Sequence, residues 1–240
     1  MDTKGQQSSE QWLEEYHRDG YAVLPDFLNA GEVTELRRAC DRIVDELNFD
    51  EHPATVFSTA DHSETRDSYF LESGDKVRYF FEEDALDEQR QLKVPAKIVT
   101  ITPHQDSTFL ATEPLSCVGL WFALEDATLE NGCLWFSPGS QHQPTTRRFI
   151  RSKEPDGRLT TRLIGSPAED DPSTYVAVPV RKGSLVIIHG SVNHKSAMNT
   201  SAKSRHVYTF HVIEQHNTRW DPYNWLQPTE NMPFTNLYTN

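Results

Sequence analysis

The segment Thr102-Pro103-His104-Gln105-Asp106-Ser107 contains the pattern that says most about the fold. In an extended strand, residues two apart point to the same side, so His104 and Asp106 can reach one ion while Gln105 faces away. A third ligand must then come from another strand that faces the same cavity. Two histidines and one carboxylate hold iron(II) on one face and leave three coordination positions open for a co-substrate and oxygen. The segment therefore predicts a β-rich fold that supports an iron-dependent oxygenase.

His194 is the leading candidate for the third ligand. It follows the β-branched run at residues 183–188, which begins at a glycine and predicts a strand. Arg205 comes eleven residues after His194 and precedes a second apolar run at residues 207–212. We expect this second run to lie beside the first in antiparallel orientation. A guanidinium at that place can hold the far carboxylate of a dicarboxylate co-substrate through two parallel hydrogen bonds.

The His-x-Asp triplet alone is weak evidence. Ten histidines in 240 residues make a chance match expected at roughly even odds. A histidine in a strand is also more often a packed or surface residue than a ligand. The full set, which adds His194 and Arg205, is much less expected by chance and favours a metal site.

Longer stretches of the chain resemble a known family. Residues 102–109, TPHQDSTF, and residues 125–140, EDATLENGCLWFSPGS, are similar to motifs of the phytanoyl-CoA dioxygenase family. Two further blocks, residues 69–82 and 224–229, extend the likeness. Because several separate blocks recur in order, the resemblance is specific and covers nearly the whole chain.

The resemblance implies a mainly β fold with flanking helices, a double-stranded β-helix of the jelly-roll, cupin-like type. It implies dependence on iron(II) and on 2-oxoglutarate as co-substrate, with ascorbate in a supporting role. The implied reaction is hydroxylation of an unactivated C–H bond in a small-molecule substrate. An acyl-CoA is one candidate, although no basic cluster in the sequence clearly matches the phosphates of CoA. The matching positions are, for iron, His104, Asp106 and His194, and, for 2-oxoglutarate, Lys97, Trp121, Ser196 and Arg205.

Other residues are assigned with the help of the same resemblance. Halogenating relatives lack the carboxylate that Asp106 supplies, so hydroxylation is the favoured reaction. In the family pattern, the arginine follows the ligand histidine by about the interval that separates His194 from Arg205, and His189 lies too early. We therefore assign a structural role to His189, and we place the histidines at positions 206 and 211 in the core or on the surface.

One departure from the family pattern precedes the triplet. Between residues 94–97 and His104, relatives carry a block with helices and the first barrel strands, whereas only residues 98–103 fill this gap here. Lys97 sits at this break. The sequence thus predicts a shortened form that is missing part of the usual barrel, in which residues 98–102 replace part of the lost strand. We expect weaker co-substrate binding and lower stability as a result.

Two other classes of function stay open. The shortened segment is consistent with a catalytically silent short isoform that acts as a binding or regulatory protein. The metal triad is also consistent with a different cupin-like metalloenzyme that does not use 2-oxoglutarate. In that second case Arg205 would be dispensable for activity.

Composition predicts a single domain over residues 1–240, with a helical N-terminal support region at 1–97 and a jelly-roll core at 98–240. The formal charge of −13 disfavours nucleic acid as a partner, since phosphate binding needs a basic surface. Three scattered cysteines argue against a disulfide framework. The polar start of the chain, the absence of a long apolar stretch and an ending unlike a peroxisomal signal favour a cytoplasmic protein without a membrane partner.

Local patterns predict the individual elements. A short helix is expected near residues 12–18, and Asn29 with Glu32 forms a capping box that opens a second helix. Asn131-Gly132 predicts a hairpin, and residues 151–174, rich in Pro, Gly, Asp and Ser, predict an excursion of the chain on the surface. Strands are expected near residues 21–24, 77–81, 118–124, 133–137, 175–180, 185–188 and 206–213.

Overall fold

The computed structural model describes residues 9–46, 71, 73, 76, 78–79, 101–168 and 170–238. Two helices precede the β-rich part of the chain, α1 at Ser9–Asp19 and α2 at Ala30–Asp45. The Asn29 side chain accepts hydrogen bonds from the N–H groups of Gly31 and Glu32, and the Glu32 carboxylate accepts one from the N–H of Asn29. This capping box satisfies N–H groups that lack partners within the helix. The predicted start of the second helix is therefore confirmed.

Twelve strands run through the described part of the chain. In order they are β1 Tyr21–Leu24, β2 Ile101–His104, β3 Thr112–Glu113, β4 Val118–Ala123, β5 Leu134–Phe136, β6 Arg148–Lys153, β7 Leu159–Ile164, β8 Val176–Val178, β9 Leu185–His189, β10 His194–Ser196, β11 Val207–Val212 and β12 Arg219–Trp220. Eight of them form two four-stranded antiparallel sheets, in the orders β1-β9-β4-β11 and β2-β10-β5-β8. Neighbouring strands come from distant parts of the sequence. This is the connectivity of the predicted double-stranded β-helix, or jelly roll.

The hydrophobic core lies between the two four-stranded sheets. Directly opposite residues of an antiparallel pair share a face, so the register that pairs Trp121 with Val186 places both on the inner face of β4 and β9. From the other sheet, Phe136 belongs to the same buried cluster, and its ring stacks on Tyr21 with centroids 4.2 Å apart. Burial of these apolar side chains holds the sheets together.

Most predicted elements are confirmed within the described residues, including the helix near residues 12–18 and the strands near 118–124 and 185–188. The strand predicted at residues 77–81 falls largely outside the described residues, as does the boundary between residues 97 and 98. All three cysteines are free. No helix in the described part of the chain is long and apolar enough to cross a bilayer.

The predicted pairing of the run at residues 207–212 with the run at 183–188 is wrong. Strand β4 lies between them, because it pairs with β9 along one edge and with β11 along the other. Between β9 and β11 the chain crosses to the other sheet to form β10. Because of this crossing, the neighbour of β9 is β4, a strand from earlier in the chain.

Asn131-Gly132 forms a turn, but it does not form the predicted hairpin. It connects β4 and β5, which belong to different sheets. Asn131 accepts a hydrogen bond from the N–H of Thr128 and donates one to the carbonyl of Ser204. Gly132 has φ +88°, and a Cβ there would lie 2.5 Å from the carbonyl oxygen of Ala197. The glycine is therefore required by conformation and by contact with a distant segment.

Two strands that were not predicted overlap residues 151–174. Strands β6 and β7 form a regular antiparallel hairpin over six paired positions. Asp156 accepts a hydrogen bond from the N–H of Arg158, and Gly157 has φ +85°. The Asp-Gly pair therefore lies within the connection at residues 154–158, which joins the two strands. The prediction of a surface excursion did not include these two strands.

Candidate metal centre

His104 and Asp106 converge, although they do not share a strand as predicted. His104 is the last residue of β2, and Asp106 opens a 3₁₀ turn at Asp106–Thr108. Gln105 between them is extended, with φ −116° and ψ 132°, so both flanking side chains project to one side. His104 Nε2 lies 3.4 Å from Asp106 Oδ1. Gln105 points away and donates to the carbonyl of Ser191 at 2.7 Å.

His194 joins this pair from the adjacent strand. It begins β10 and lies directly opposite His104 in the β2–β10 pair. Cross-strand neighbours share a face, and the two imidazole centroids are 4.3 Å apart. His194 Nε2 lies 3.7 Å from Asp106 Oδ1. Each of the three residues offers a ligand atom, and these atoms lie within 4.8 Å of one another.

Backbone contacts fix which nitrogen of each histidine faces the centre. His104 Nδ1 lies 2.9 Å from the carbonyl oxygen of Thr102, and His194 Nδ1 lies 3.1 Å from that of Val192. A carbonyl oxygen can only accept, so Nδ1 carries the hydrogen in both rings and Nε2 retains its lone pair. Metal-binding histidines are commonly oriented in this way.

The charges of the three groups also suit a metal. Burial raises the pKa of Asp106, but the imidazoles of His194, His104 and His211 outweigh that effect and hold the pKa well below its usual value. Burial and the neighbouring His104 lower the pKa of His194 to about 4, against the opposing effect of Asp106. At neutral pH, Asp106 is therefore an anion and His194 is neutral, which are the forms that ligate metals.

This donor set fits iron(II). Two imidazole nitrogens with free lone pairs and one carboxylate oxygen lie on one side of a common centre, and imidazole and carboxylate are ligand types that suit this ion. Asp106 is 7 % exposed and His194 is 5 % exposed. A metal bound here would be largely shielded from bulk water.

A third histidine, predicted to lie in the core or on the surface, contacts the site. His211 Nε2 lies 3.2 Å from Asp106 Oδ2, the oxygen that faces away from the other two imidazoles. His211 pairs with Gly119 across β11 and β4. Burial lowers the pKa of His211, but the contact with Asp106 outweighs burial and raises it. The position of His211 depends on strand register, and no short motif in the sequence indicates it.

The residues matched to 2-oxoglutarate lie near the same inner surface. Trp121 is the next inward-facing residue of β4 after Gly119, and the Arg205 guanidinium carbon is 5.9 Å from the centroid of the Trp121 ring. Both side chains are buried. Ser196 is buried and lies two residues after His194 on β10, hence on the same face. Lys97 lies outside the described residues.

Glu125 anchors the segment that contains Arg205. Its carboxylate accepts hydrogen bonds from the Ser204 hydroxyl and from the N–H of His206, the two neighbours of Arg205. It also forms an ion pair with Arg37 of α2. One carboxylate therefore connects α2, the end of β4 and the backbone around Arg205.

The other histidine considered as a ligand lies away from the centre. His189 Nδ1 accepts a hydrogen bond from the N–H of Ser191, and its ring packs against Tyr16 with centroids 5.5 Å apart. Within the described part of the chain, His189 is not part of the group that could hold a metal. Its contacts agree with the structural role assigned from the sequence.

With this geometry in view, comparison with known proteins decides the family. A family model described as phytanoyl-CoA dioxygenase (PhyH) matches residues 16–207. The chain belongs to the phytanoyl-CoA dioxygenase family. Phytanoyl-CoA dioxygenase domain-containing protein 1 from Danio rerio is 39 % identical over 289 aligned positions, which cover 96 % of this chain and 99 % of the relative. Phytanoyl-CoA dioxygenase from Arabidopsis thaliana is 33 % identical, covering 90 % of this chain and 92 % of the relative.

Solved structures share the fold of this member of the phytanoyl-CoA dioxygenase family. The epimerase SnoN, in complex with Fe3+, alpha ketoglutarate and nogalamycin RO, superimposes with a TM-score of 0.58 at 18 % identity and covers 93 % of this chain and 97 % of its own. EctD from S. alaskensis, in its apoform, gives a TM-score of 0.54 at 19 % identity and covers 95 % of this chain and 84 % of its own. These likenesses confirm the double-stranded β-helix.

The length of one alignment bears on the predicted shortening. The alignment with the Danio rerio relative has 289 positions, which exceeds the 240 residues of the chain by 49. At least 49 aligned positions therefore have no counterpart in this chain. This agrees with the prediction that the chain is shorter than its relatives.

Proposed function

We propose that this chain is an iron(II)- and 2-oxoglutarate-dependent dioxygenase that hydroxylates a small-molecule substrate. The observation that carries the proposal is the convergence of the Nε2 atoms of His104 and His194 on one oxygen of Asp106, with both Nδ1 atoms held by backbone carbonyls. Membership of the phytanoyl-CoA dioxygenase family supports it. The neighbour SnoN, with Fe3+ and alpha ketoglutarate bound on the same fold, supports the choice of metal and co-substrate.

The side chains have separate roles in this proposal. His104, Asp106 and His194 hold the metal. Trp121 lies two residues after Gly119 on the same face of β4, and a Cβ at Gly119 would lie 3.0 Å from Asp106 Oδ2. Successive residues on one face of a strand are roughly 7 Å apart. This spacing suits a five-carbon dicarboxylate. We therefore assign Arg205 to its far carboxylate and Trp121 to its carbon chain.

The assignment of Arg205 follows from its chemistry. A guanidinium presents parallel N–H donors that match a carboxylate, and a buried position strengthens that contact. Ser196, on the face of β10 that also carries His194, is assigned as a further polar contact to the co-substrate. Lys97 stays a prediction from the family pattern.

When bound, iron(II) supplies the oxygen activation that couples conversion of 2-oxoglutarate to succinate and carbon dioxide with insertion of one oxygen atom into a substrate C–H bond. The chain orients the reacting groups and excludes water. The low exposure of Asp106 and His194 serves the second purpose, since water at the metal would divert the oxidation from the substrate.

The decisive experiment measures succinate formed from 2-oxoglutarate by the purified chain with iron(II), ascorbate and oxygen. We expect turnover that is abolished in His194→Ala and in Arg205→Ala. His142→Ala is the matched control, because His142 is exposed and lies outside the metal-ligand group of the described residues. Turnover that survives His194→Ala would contradict the metal assignment. Succinate formation that survives Arg205→Ala would contradict the assignment of Arg205. A wild type that binds metal but forms no succinate would favour a metalloenzyme that does not use 2-oxoglutarate.

A second candidate function rests on the aligned positions that this chain lacks. A catalytically silent short form would act as a binding or regulatory protein. Binding of metal and 2-oxoglutarate separates the two candidates, because a dioxygenase must bind both. A folded chain that binds neither would support the silent form.

The substrate class is proposed only as a small molecule. The names of the relatives include phytanoyl-CoA, which makes an acyl-CoA a candidate substrate. The hairpin β6–β7 carries several basic residues, but it gives little support for a site that binds the phosphates of CoA. Within the described residues, Arg148 pairs with Asp221, and Arg162 pairs with Glu154. Assays with acyl-CoA thioesters and with the free acids would test whether the CoA part contributes to recognition.

A further inference from the structure

We infer that His211 is a positioning residue that orients the carboxylate of Asp106 so that it ligates the metal through one oxygen. This inference rests on the proposed function and adds a residue to its site. The two oxygens of Asp106 have different surroundings. Oδ1 faces His104 Nε2 at 3.4 Å and His194 Nε2 at 3.7 Å, whereas Oδ2 faces His211 Nε2 at 3.2 Å.

The sheet register creates the space for this contact. His211 and Gly119 lie opposite each other on β11 and β4. A Cβ at position 119 would lie 3.0 Å from Asp106 Oδ2 and 3.5 Å from His211 Cδ2. The missing side chain therefore leaves an opening in the inner face of β4, and the His211 ring reaches Asp106 through it.

The second oxygen of Asp106 needs such a neighbour. Oδ2 is fully buried and accepts no well-aligned hydrogen bond within the described residues. A buried carboxylate oxygen without a donor is costly, since it has lost its contact with water. His211 Nε2 is at a distance from which a small rotation of either group forms that bond.

The functional consequence concerns the number of open coordination positions. A carboxylate whose two oxygens are both available can chelate a metal with both. Such chelation would occupy one of the positions that 2-oxoglutarate and oxygen require. By occupying Oδ2 from the opposite sheet, His211 keeps Asp106 a one-oxygen ligand.

Two variants at this position separate the N–H group from the volume of the ring. His211→Phe retains a ring but removes the donor, and His211→Gln retains an N–H at nearly the position of Nε2. The His211 side chain is 31 % exposed, so substitution there leaves most of the core intact. Each protein is prepared free of metal and titrated with cobalt(II), whose visible absorption reports the coordination number.

We expect His211→Phe to bind cobalt(II) about 10- to 100-fold more weakly than the wild type, the usual effect of removing a partner of a metal ligand. Its absorption should also change, because Asp106 is free to chelate. His211→Gln should remain within about threefold of the wild type. The urea midpoint of the metal-free protein should fall in His211→Phe, because buried Oδ2 then has no donor nearby, and should be retained in His211→Gln. The change in cobalt(II) absorption is the measurement that a merely structural role of His211 would not move.

Equal cobalt(II) affinity and equal absorption in His211→Phe and the wild type would overturn the role of His211 and leave the proposed function intact. Failure of the wild type to bind cobalt(II) would overturn both. If His211→Phe does not fold, His211→Asn replaces it. The shorter Asn side chain cannot place its N–H at Oδ2, so the same difference from His211→Gln is expected.

Discussion

The two large sheets contribute to the candidate site in different ways. Sheet β2-β10-β5-β8 supplies His104 and His194, each held by a carbonyl two residues earlier in the chain. Sheet β1-β9-β4-β11 supplies Trp121 and His211, whose places depend on the register between β4 and β11. The first arrangement is local, and the second is a property of the assembled sheet. We expect His104 and His194, which are held by local contacts, to govern metal binding. We expect Trp121 and His211, which are placed by strand register, to govern the binding of 2-oxoglutarate and the orientation of Asp106.

The largest expected effect is on metal affinity and comes from loss of His104, which is held by local contacts. His104→Ala removes one of the three proposed metal ligands, so we expect cobalt(II) or iron(II) affinity to fall by at least about 100-fold, more than the loss of a ligand's partner causes. Calorimetric titration of the metal-free protein measures this change. His189→Ala is the control and should bind metal as the wild type does. A reduced affinity in the control would show that His189 takes part in metal binding.

A smaller effect is expected at Arg205, the residue proposed to bind 2-oxoglutarate. Substitution there should leave metal affinity unchanged. Arg205→Lys retains the charge but loses the paired N–H donors, so the KM for 2-oxoglutarate should rise about 10- to 100-fold. Metal affinity, measured by the same titration, should stay within about twofold. A loss of metal affinity in this variant would mean that metal binding and 2-oxoglutarate binding do not depend on separate residues.

Glu125 tests how strongly the backbone around Arg205 depends on its anchor. Glu125→Gln weakens the contacts with Ser204, His206 and Arg37, and we expect the free energy of unfolding to fall by about 1–2 kcal/mol. Urea denaturation measures this loss. The KM for 2-oxoglutarate should rise at the same time, whereas a rise in KM without loss of stability would point to a direct contact.

The pH dependence of stability gives a second measure of the Glu125 contacts. Burial raises the pKa of Glu125, but hydrogen bonds from His206 and Ser204 outweigh it and lower the pKa to about 2, from an ordinary value of 4.5. Because the folded pKa is depressed, the stabilisation is complete above pH 4.5 and is lost as the pH falls towards 2. The stability difference between wild type and Glu125→Gln should therefore shrink over that interval. A difference that stays constant there would contradict the assignment.

The smallest expected effect is at Gly119. A Cβ there would lie 3.0 Å from Asp106 Oδ2 and 3.2 Å from Ile188 Cβ, so Gly119→Ala requires shifts of a few tenths of an ångström. Replacement of a strand glycine gains about 0.5–1 kcal/mol from the unfolded chain, which offsets the crowding in overall stability. Metal affinity should still fall by about three- to tenfold, because the Asp106 carboxylate is displaced. Gly157→Ala, in the exposed turn of β6–β7, is the control for metal affinity.

The convergence of His104, Asp106 and His194 could be predicted from the sequence because much of its geometry is local. A histidine and an aspartate two residues apart converge even though Asp106 leaves the strand, since Gln105 keeps an extended backbone. His194 follows a strand pattern that was also predictable. The partner of β11 was not, because jelly-roll connectivity separates strands that are close in the sequence.

Register explains what the sequence could not reveal. His211 meets Asp106 only because β11 pairs with β4 in one register and because position 119 has no side chain. A shift of one residue would turn His211 to the other face of the sheet. The hairpin β6–β7 was missed for a different reason. Turn-forming residues dominate the composition of the stretch, so the strand pattern of β6 and β7 was not recognised in the sequence.

The hydrogen bond from the N–H of His206 to Glu125 also provides a probe of motion around Arg205. The N–H of His206 donates to the Glu125 carboxylate, and exchange of that hydrogen for deuterium requires the bond to open. Because this amide adjoins Arg205, its exchange rate measures how often the backbone beside Arg205 loosens. The rate can be followed before any ligand is identified, and a compound that binds at Arg205 should slow it.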